Sequence, residues 1–272
     1  MGIDETALSN GELYTLVTNK SAKGRKGTIV AIIQGTKSED VISVLNKIPR
    51  SKREIVQEVT LDMAANMNLI VKRSFPNASR VIDRFHVQKL VSEAVQTIRI
   101  KYRWIAIDED NNALTKAKKT GDNYKPKVFS NGDTVRQLLA RSRHLLFKSE
   151  SRWTSSQVKR AKILFSQFPE IEKAYKLTQG LAYIYENNYD KRIAIVKLAK
   201  WHNQVEDSGF KDFNIASKSI QLHYQGIVNF FDNRSTNAAA ESFNAKLKDF
   251  RREFKGVRDV KFFLFRLTQI FA

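Results

Sequence analysis

Glu54-Ile55-Val56-Gln57-Glu58-Val59-Thr60-Leu61-Asp62 decides how the rest of the chain is read. The stretch is β-branched and apolar, of strand length, and ends on an acid. Directly after it, Met63, Met67, Ile70 and Val71 recur at helical spacing within a helix from Ala64 to Lys72. Ala78-Ser79-Arg80-Val81-Ile82-Asp83 is then a second short strand, again ending on an acid. Strand, helix, strand in immediate succession predicts an α/β domain, a mixed sheet with helices packed on it. Ligands of such sheets gather at the carboxyl ends of strands, which makes Asp62 and Asp83 candidate site residues.

Toward the N-terminus, Glu12 to Thr18 and Gly27 to Gln34 read as strands joined by a Gly/Lys/Ser-rich turn, a hairpin. Gly2-Ile3-Asp4-Glu5 reads as the end of a clipped strand, with Asp4 a third strand-end acid. Ser38 or Thr36 can cap a helix running to about Asn46.

Toward the C-terminus, from Phe85 to about Gln225, the periodicity becomes helical. Val87, Leu90, Val91, Ala94, Val95 and Ile98 form one apolar face, and further helices are expected at 132–147, 154–168, 170–185, 189–206 and 212–231. Residues 108–131 read as a polar, flexible loop. The expected organisation is a core formed by 1–84 and 232–272, interrupted by a mostly helical basic insertion at 85–231.

A last helix from Asn237 to about Gly256 carries two stripes. Phe243, Leu247, Phe250 and Phe254 face a core, while Asn237, Glu241, Asn244 and Lys248 recur on what is expected to be an exposed, nearly opposite side. One carboxylate between two amides and a lysine suits a metal ligand beside a phosphate; the alternative is an ordinary solvated helix carboxylate. Asn237 or Thr236 can cap the helix and Gly256 can stop it.

Composition narrows the partners. The 272 residues hold 47 Lys+Arg against 28 Asp+Glu, a net of +19, more than solubility needs and indicative of a polyanion such as nucleic acid. Residues 1–62 carry nine basic and eight acidic residues, a net of +1; residues 84–168 carry eighteen and seven, a net of +11. The backbone-tracking surface is therefore expected in the middle of the chain, with Lys101 and Arg103 as candidate DNA contacts. Tyr102, Trp104 and Trp153 lie among these charges, either stacking on bases or, the preferred reading, packing inward. The absence of cysteine excludes disulfides, thiolate metal sites and cysteine nucleophiles. No apolar run of membrane-spanning length and no signal peptide is seen, so a soluble, cytoplasmic protein with no membrane partner is expected.

These motifs resemble the DDE transposases of bacterial insertion sequences, most closely the ISL-three-like group. The likeness rests on Gly2-Ile3-Asp4-Glu5, on Val59-Thr60-Leu61-Asp62-Met63-Ala64, and on Ala78 with Val81-Ile82-Asp83-Arg84-Phe85-His86-Val87. It is completed by Ser235-Thr236-Asn237, Glu241-Ser242-Phe243-Asn244 and Lys246-Leu247-Lys248. It implies an RNase H-like core with a mixed five-stranded sheet, a helical insertion before the last catalytic helix, and a catalytic and metal-binding triad of Asp4, Asp62 and Glu241. It also implies strand cleavage and strand transfer at element ends, a DNA-bridged dimer or higher assembly, and a bacterial, nucleoid-associated location. Clustered carboxylates repel one another and call for Mg²⁺ or Mn²⁺, two ions in the implied mechanism.

Asp83 is an additional candidate ligand, against a role capping the helix at Phe85 or pairing with Arg84 or Arg80. Asp4 and Asp62 have the alternative of helix-capping acids, and His86 is read as packed rather than site-lining. Lys246 and Lys248 are candidate phosphate contacts or a solvated face. Asn237 and Asn244 either orient Glu241 or touch DNA, and Asn237 has a capping alternative. Arg251 and Arg252 extend the basic edge or pair with Asp249 and Glu253.

Family members carry an N-terminal module that recognises terminal repeats, and this chain starts just before Asp4, so that module is expected to be encoded separately or lost. Two rivals share these residues: a remnant or domesticated DNA-binding protein without catalysis, and a structure-specific nuclease of the same fold.

Overall fold

In the computed structural model, the described residues are 1–9, 12–253 and 259–272, without the side chains of residues 8, 9, 239 and 241. Five strands form the sheet: β1 (Gly2–Ser9), β2 (Glu12–Thr18), β3 (Ile29–Gln34), β4 (Glu58–Leu61) and β5 (Ser79–Ile82). Their order is β3-β2-β1-β4-β5, with both pairs among β1, β2 and β3 antiparallel and β1/β4 and β4/β5 parallel. A hairpin followed by right-sized crossovers through α1 (Ser38–Leu45), α2 (Arg50–Glu54) and α3 (Ala65–Ser74) gives this mixed sheet. It is an RNase H-like topology.

Two compact units divide the chain. Met1–His86, Tyr189–Lys191 and His223–Ala272 make the sheet-bearing unit, and Val87–Asn188 with Arg192–Leu222 make the helical one. The helical unit holds most of α4 (Arg84–Thr120), then α5 (Val135–Arg141), α6 (Ser155–Gln167), α7 (Pro169–Asn187), most of α8 (Lys191–Ser208), and α9 (Lys211–Leu222). The expected loop at 108–131 is corrected in its first half. α4 continues to Thr120, because Asp108 to Lys119 contains no Gly or Pro to stop it. After it, Tyr124 donates to Asp110 and Val128 bridges to Thr134, returning the chain along the helix end. The helix expected at 212–231 is three: α9, α10 (Tyr224–Val228) and α11 (Phe230–Asn233).

In the helical unit, Asp133 is fully buried and accepts from Arg141 and from Arg160, the latter at 2.8 Å, tying α5 to α6. Trp153 stacks on Tyr175, and its ring N–H donates to the Leu145 carbonyl at 2.8 Å, so this ring packs inward as read from the sequence.

In the sheet unit, α12 (Ala238–Glu253) packs on β1 and α13 (Val260–Phe271) on β3. Phe243 and Leu247 of α12 and Phe263 and Leu267 of α13 bury with Tyr14, Leu16 and Ile29 of the hairpin strands, and Phe250 packs at the margin. Phe254 and Gly256 lie outside the described residues. Antiparallel partners share a face of the sheet, so the pairing Asp4↔Leu16 turns Asp4 toward the helix that covers Leu16. On the opposite face, α1 and α3 bring Val41, Leu45, Met67, Ile70 and Val71 into a second buried layer.

Candidate active site

The sheet register aligns the three acids. Gly2 pairs with Thr60, and Thr60 with Val81; two residues further along each parallel strand stand Asp4, Asp62 and Asp83. Side chains alternate along a strand, so a two-residue step returns each acid to the face that Gly2, Thr60 and Val81 share. Neighbouring strands lie roughly 4.8 Å apart, so the register sets the three acid positions in one row across adjacent strands. Asp62 and Asp83 directly follow the ends of β4 and β5, as expected. Asp4 does not: β1 continues to Ser9, so Asp4 sits in mid-strand, because residues 6–9 go on pairing with β2 as a hairpin.

Each acid is held differently. Asp4 Oδ1 accepts from the Glu5 N–H at 2.9 Å and Oδ2 from the Asn244 side-chain amide at 2.9 Å. Asp62 Oδ1 accepts from the Ala64 N–H at 2.9 Å, a turn that starts α3. Asp83 is buried at 2% exposure, with Oδ1 accepting from the Phe85 N–H and Oδ2 from the Asn237 N–H, both at 3.2 Å. Capping of the helix at Phe85 is therefore present for Asp83, and no described ion pair joins it to Arg84 or Arg80.

The helix α12 meets this row edgewise, and here the expected exposure of its polar stripe is corrected. Asn237 is 2% and Asn244 9% exposed. At roughly 100° per residue, the stripe 237, 241, 244, 248 and the stripe 243, 247, 250 lie about 120° apart rather than opposed, so both can meet the sheet. Asn237 reaches the Ile3 carbonyl at 3.5 Å, and a Cβ on Gly2 would stand 2.4 Å from its Oδ1. Glycine at position 2 is what admits the helix start so close to β1. Position 241 falls between Asn237 and Asn244 on the same stripe; the Glu241 side chain lies outside the described residues. Lys248 is exposed, and Lys246, also exposed, donates to the Gly24 carbonyl in the β2–β3 turn at 3.5 Å. Arg252 pairs with Asp249, the pairing read from the sequence, while Arg251 is half-buried.

The oxygen donors fit a hard divalent cation. Asp4 and Asp62 supply carboxylates, and the Oδ1 atoms of Asn237 and Asn244 are buried with no hydrogen-bond partner among the described residues. Among the described residues, to which the Glu241 side chain does not belong, no group of three His, Asp or Glu side chains stands together as a metal cluster. His86 is half-buried, with its ring edge-on to that of the exposed Phe85. Lys101 and Arg103, on α4 of the helical unit, are exposed. Trp104 beside them is 60% exposed, contrary to the inward packing expected, because it sits on an α4 stripe with Ile100 that nothing in its unit covers. Tyr102 packs on Phe168 and its hydroxyl donates to Glu170.

Sequence reasoning did not find Lys20. It follows β2 in a 3₁₀ turn capped by Asn19, and its Nζ donates to Thr60 Oγ1 on the site's face of the sheet. Burial pulls its ammonium below the usual lysine range, while the charges of Glu58 and Asp83 pull it back up. Its only sequence signal is membership in a Lys/Gly-rich turn, which reads as solvated.

Residues 1–267 match the family of DDE transposases of the ISL3 type, described simply as transposase. The chain belongs to this family. It is also 22% identical over 274 residues to the transposase for insertion sequence element IS1001 of Bordetella parapertussis, with all of this chain and 60% of that protein covered. The chain thus spans well under two thirds of the length of this curated relative. No solved structure matches it. No described helix of the transposase chain is long and apolar enough to cross a membrane.

Proposed function

We propose that this chain is the catalytic domain of an insertion-sequence transposase, cutting and rejoining phosphodiester bonds at the element's ends. The observation that carries the reading is the in-register row of Asp4 and Asp62, closed from the α12 side by Asn244 bonded to Asp4. In a family of DDE transposases, a helix that reaches the first acid is the one expected to bring the Glu241 carboxylate.

In this reading Asp4, Asp62 and Glu241 hold Mg²⁺ or Mn²⁺, two ions in all. Bound there, the ions would lower the pKa of the attacking hydroxyl and offset charge on the leaving oxygen. The protein's own part is orientation. The Glu5 N–H and Asn244 amide hold both oxygens of Asp4, and the Ala64 N–H holds one of Asp62, so the orientation of each carboxylate is set. In cleavage a water oxygen bonds to phosphorus and the P–O3′ bond breaks, leaving a 3′-hydroxyl. In transfer that hydroxyl attacks a target phosphodiester, so one such bond forms as another breaks. Lys246, Lys248, Arg251, Arg252, Lys101 and Arg103 are assigned to DNA phosphates, and the exposure of all of them but the half-buried Arg251 supports this. Assembly as a dimer or larger complex on double-stranded DNA, and help from a separately encoded recognition protein, belong to the same proposal.

The test is cleavage of end DNA by wild type and Glu241→Gln, with Mn²⁺ or EDTA, with and without the product of a neighbouring reading frame. Nicking at the element boundary that needs metal and is abolished by Glu241→Gln while DNA binding persists is the expected result. Folded, DNA-binding wild type that never cuts would make the chain a non-catalytic remnant or domesticated binding protein.

A further inference from the structure

The site leaves one buried carboxylate and one half-buried ammonium without a task. Asp83 ends the acid row, yet each of its oxygens already accepts a backbone N–H: Phe85 opens α4, and Asn237, 154 residues away in sequence, immediately precedes α12. Asn237 is itself buried against Gly2 and the Ile3 carbonyl, so the start of α12 is hooked to β5 through its backbone and to β1 through its side chain. A carboxylate this buried needs compensating charge or donors. The two N–H groups supply donors, and Lys20, whose Nζ donates to Thr60 of β4 between β1 and β5, places an ammonium near Glu58 and, less strongly, near Asp83.

We infer that Asp83 is a positioning residue, not a metal ligand: with Lys20 as counter-charge it docks the start of α12 and thereby sets Asn244, and position 241 between, against Asp4. Metal ligation would ask Asp83 to turn lone pairs toward the row while keeping both N–H contacts, in a pocket with almost no solvent. A rigid helix transmits the hook. Asn237 and Asn244 are two turns apart, so loosening one end swings the other relative to β1. The metal-binding half of this inference rests on the proposed function; the docking half does not.

The experiment uses the whole 272-residue chain. Hydrogen exchange is followed over 237–245 and over β1, and Mn²⁺ binding is measured by calorimetry on the same samples. Asp83→Asn keeps the shape but leaves one N–H facing an amide donor. It is expected to speed exchange over 237–245 by about tenfold, the effect of losing one charge-assisted hydrogen bond, with β1 unchanged and the wild-type Mn²⁺ stoichiometry kept. Asp62→Asn should do the reverse, losing Mn²⁺ with exchange over 237–245 unchanged. Lys20→Met is expected to speed exchange over the same segment, and Lys20→Arg to restore it, a rescue that guards against simple misfolding of the Asp83 variant. Loss of one Mn²⁺ equivalent in Asp83→Asn with unaltered exchange would make Asp83 a ligand and overturn the inference. Unaltered exchange in Lys20→Met would remove Lys20 from it. Wild type that binds no Mn²⁺ counts against the proposed function, and the exchange results still decide the docking.

Discussion

Asn244 donates its side-chain amide to Asp4 Oδ2 at 2.9 Å, joining α12 to the first strand of the fold across 240 residues of sequence. Everything inserted between those residues leaves this contact in place, because both sit on elements of the sheet unit. The amide is neutral, so it orients Asp4 without cancelling the negative charge that a cation would need. Asn244→Asp keeps the shape but sets a second carboxylate against the first. Two carboxylates in contact raise each other's affinity for protons. DNA cleavage by Asn244→Asp is therefore expected to fall about 10- to 100-fold near neutral pH and to recover partly at higher pH, as loss of the oriented interaction plus misprotonation predicts. Asn244→Leu, with no hydrogen bond, should lose activity without the change in pH profile. Equal pH profiles for the two variants would contradict this account.

Gly2 faces Asn237 so closely that no Cβ fits at its present position, with Thr18 Oγ1 a further 3.1 Å contact. Gly2→Ala must displace the start of α12 or bend β1. A cost of about 1–3 kcal/mol is expected from such overpacking, read as a lowered midpoint in urea with an unchanged slope. Gly35→Ala is not a fair control because of its positive φ; Ala7→Gly at the far end of β1 is better, and should cost about 1 kcal/mol or less.

Much of the sheet was legible because its strands announce themselves by β-branched runs, and Asp62 and Asp83 stand where those runs stop. Asp4 was found but misplaced at a strand end, since residues 6–9 that prolong β1 carry little β signal. The amide stripe of α12 was recognised by spacing but assigned to solvent. Polarity predicts exposure on average, and here two buried amides are tolerated because they reach Asp4 and the Ile3 carbonyl. Lys20 was illegible for a different reason: its partner Thr60 is 40 residues away, and nothing local distinguishes it from the other cations of its turn. α13 was not read as an element, although Asp259 caps it by accepting from the Phe262 N–H at 3.0 Å. The breaks at residues 223 and 229 were missed because no Gly or Pro stands there; tertiary packing sets them, as where α10 presses Gly226 onto Ile82.

The helical unit carries its own pH dependence. Burial works to raise the Asp133 carboxyl, but hydrogen bonds from Arg160 and Arg141 outweigh it and leave its pKa lowered. A carboxylate whose folded pKa lies below the unfolded value stabilises the fold above the unfolded value, about 3.9, and loses that contribution as pH falls through the folded one. His202 acts in the same direction. Burial lowers its pKa against the opposing charge of Glu206, so protonation below about pH 6.5 favours unfolding. Acid titration followed by circular dichroism should show stability falling first below about pH 6.5 and again below about pH 4. Asp133→Ala should remove the lower step and cost about 3 kcal/mol at neutral pH by stranding Arg160. His202→Phe should remove the upper step.

DNA binding offers the last prediction, and it separates charge from fold. Lys246 and Lys248, two and four residues beyond Asn244, are exposed, and Lys246 rests on the turn that also carries Lys23, Arg25 and Lys26, all exposed. If DNA lies along this edge, each cation lost from contact removes one released counterion. The slope of log affinity against log salt then becomes shallower by about 0.9 per contact. Lys246→Ala with Lys248→Ala is expected to flatten the slope by roughly 2 for any duplex sequence, because phosphate contacts carry no sequence information. Lys47→Ala with Lys52→Ala, two exposed lysines that follow α1, changes net charge equally and should leave the slope nearly unaltered. The same flattening in both pairs would mean that overall charge, rather than the α12 edge, governs binding. A flattening confined to the α12 pair would put duplex DNA beside the helix that holds Asp4.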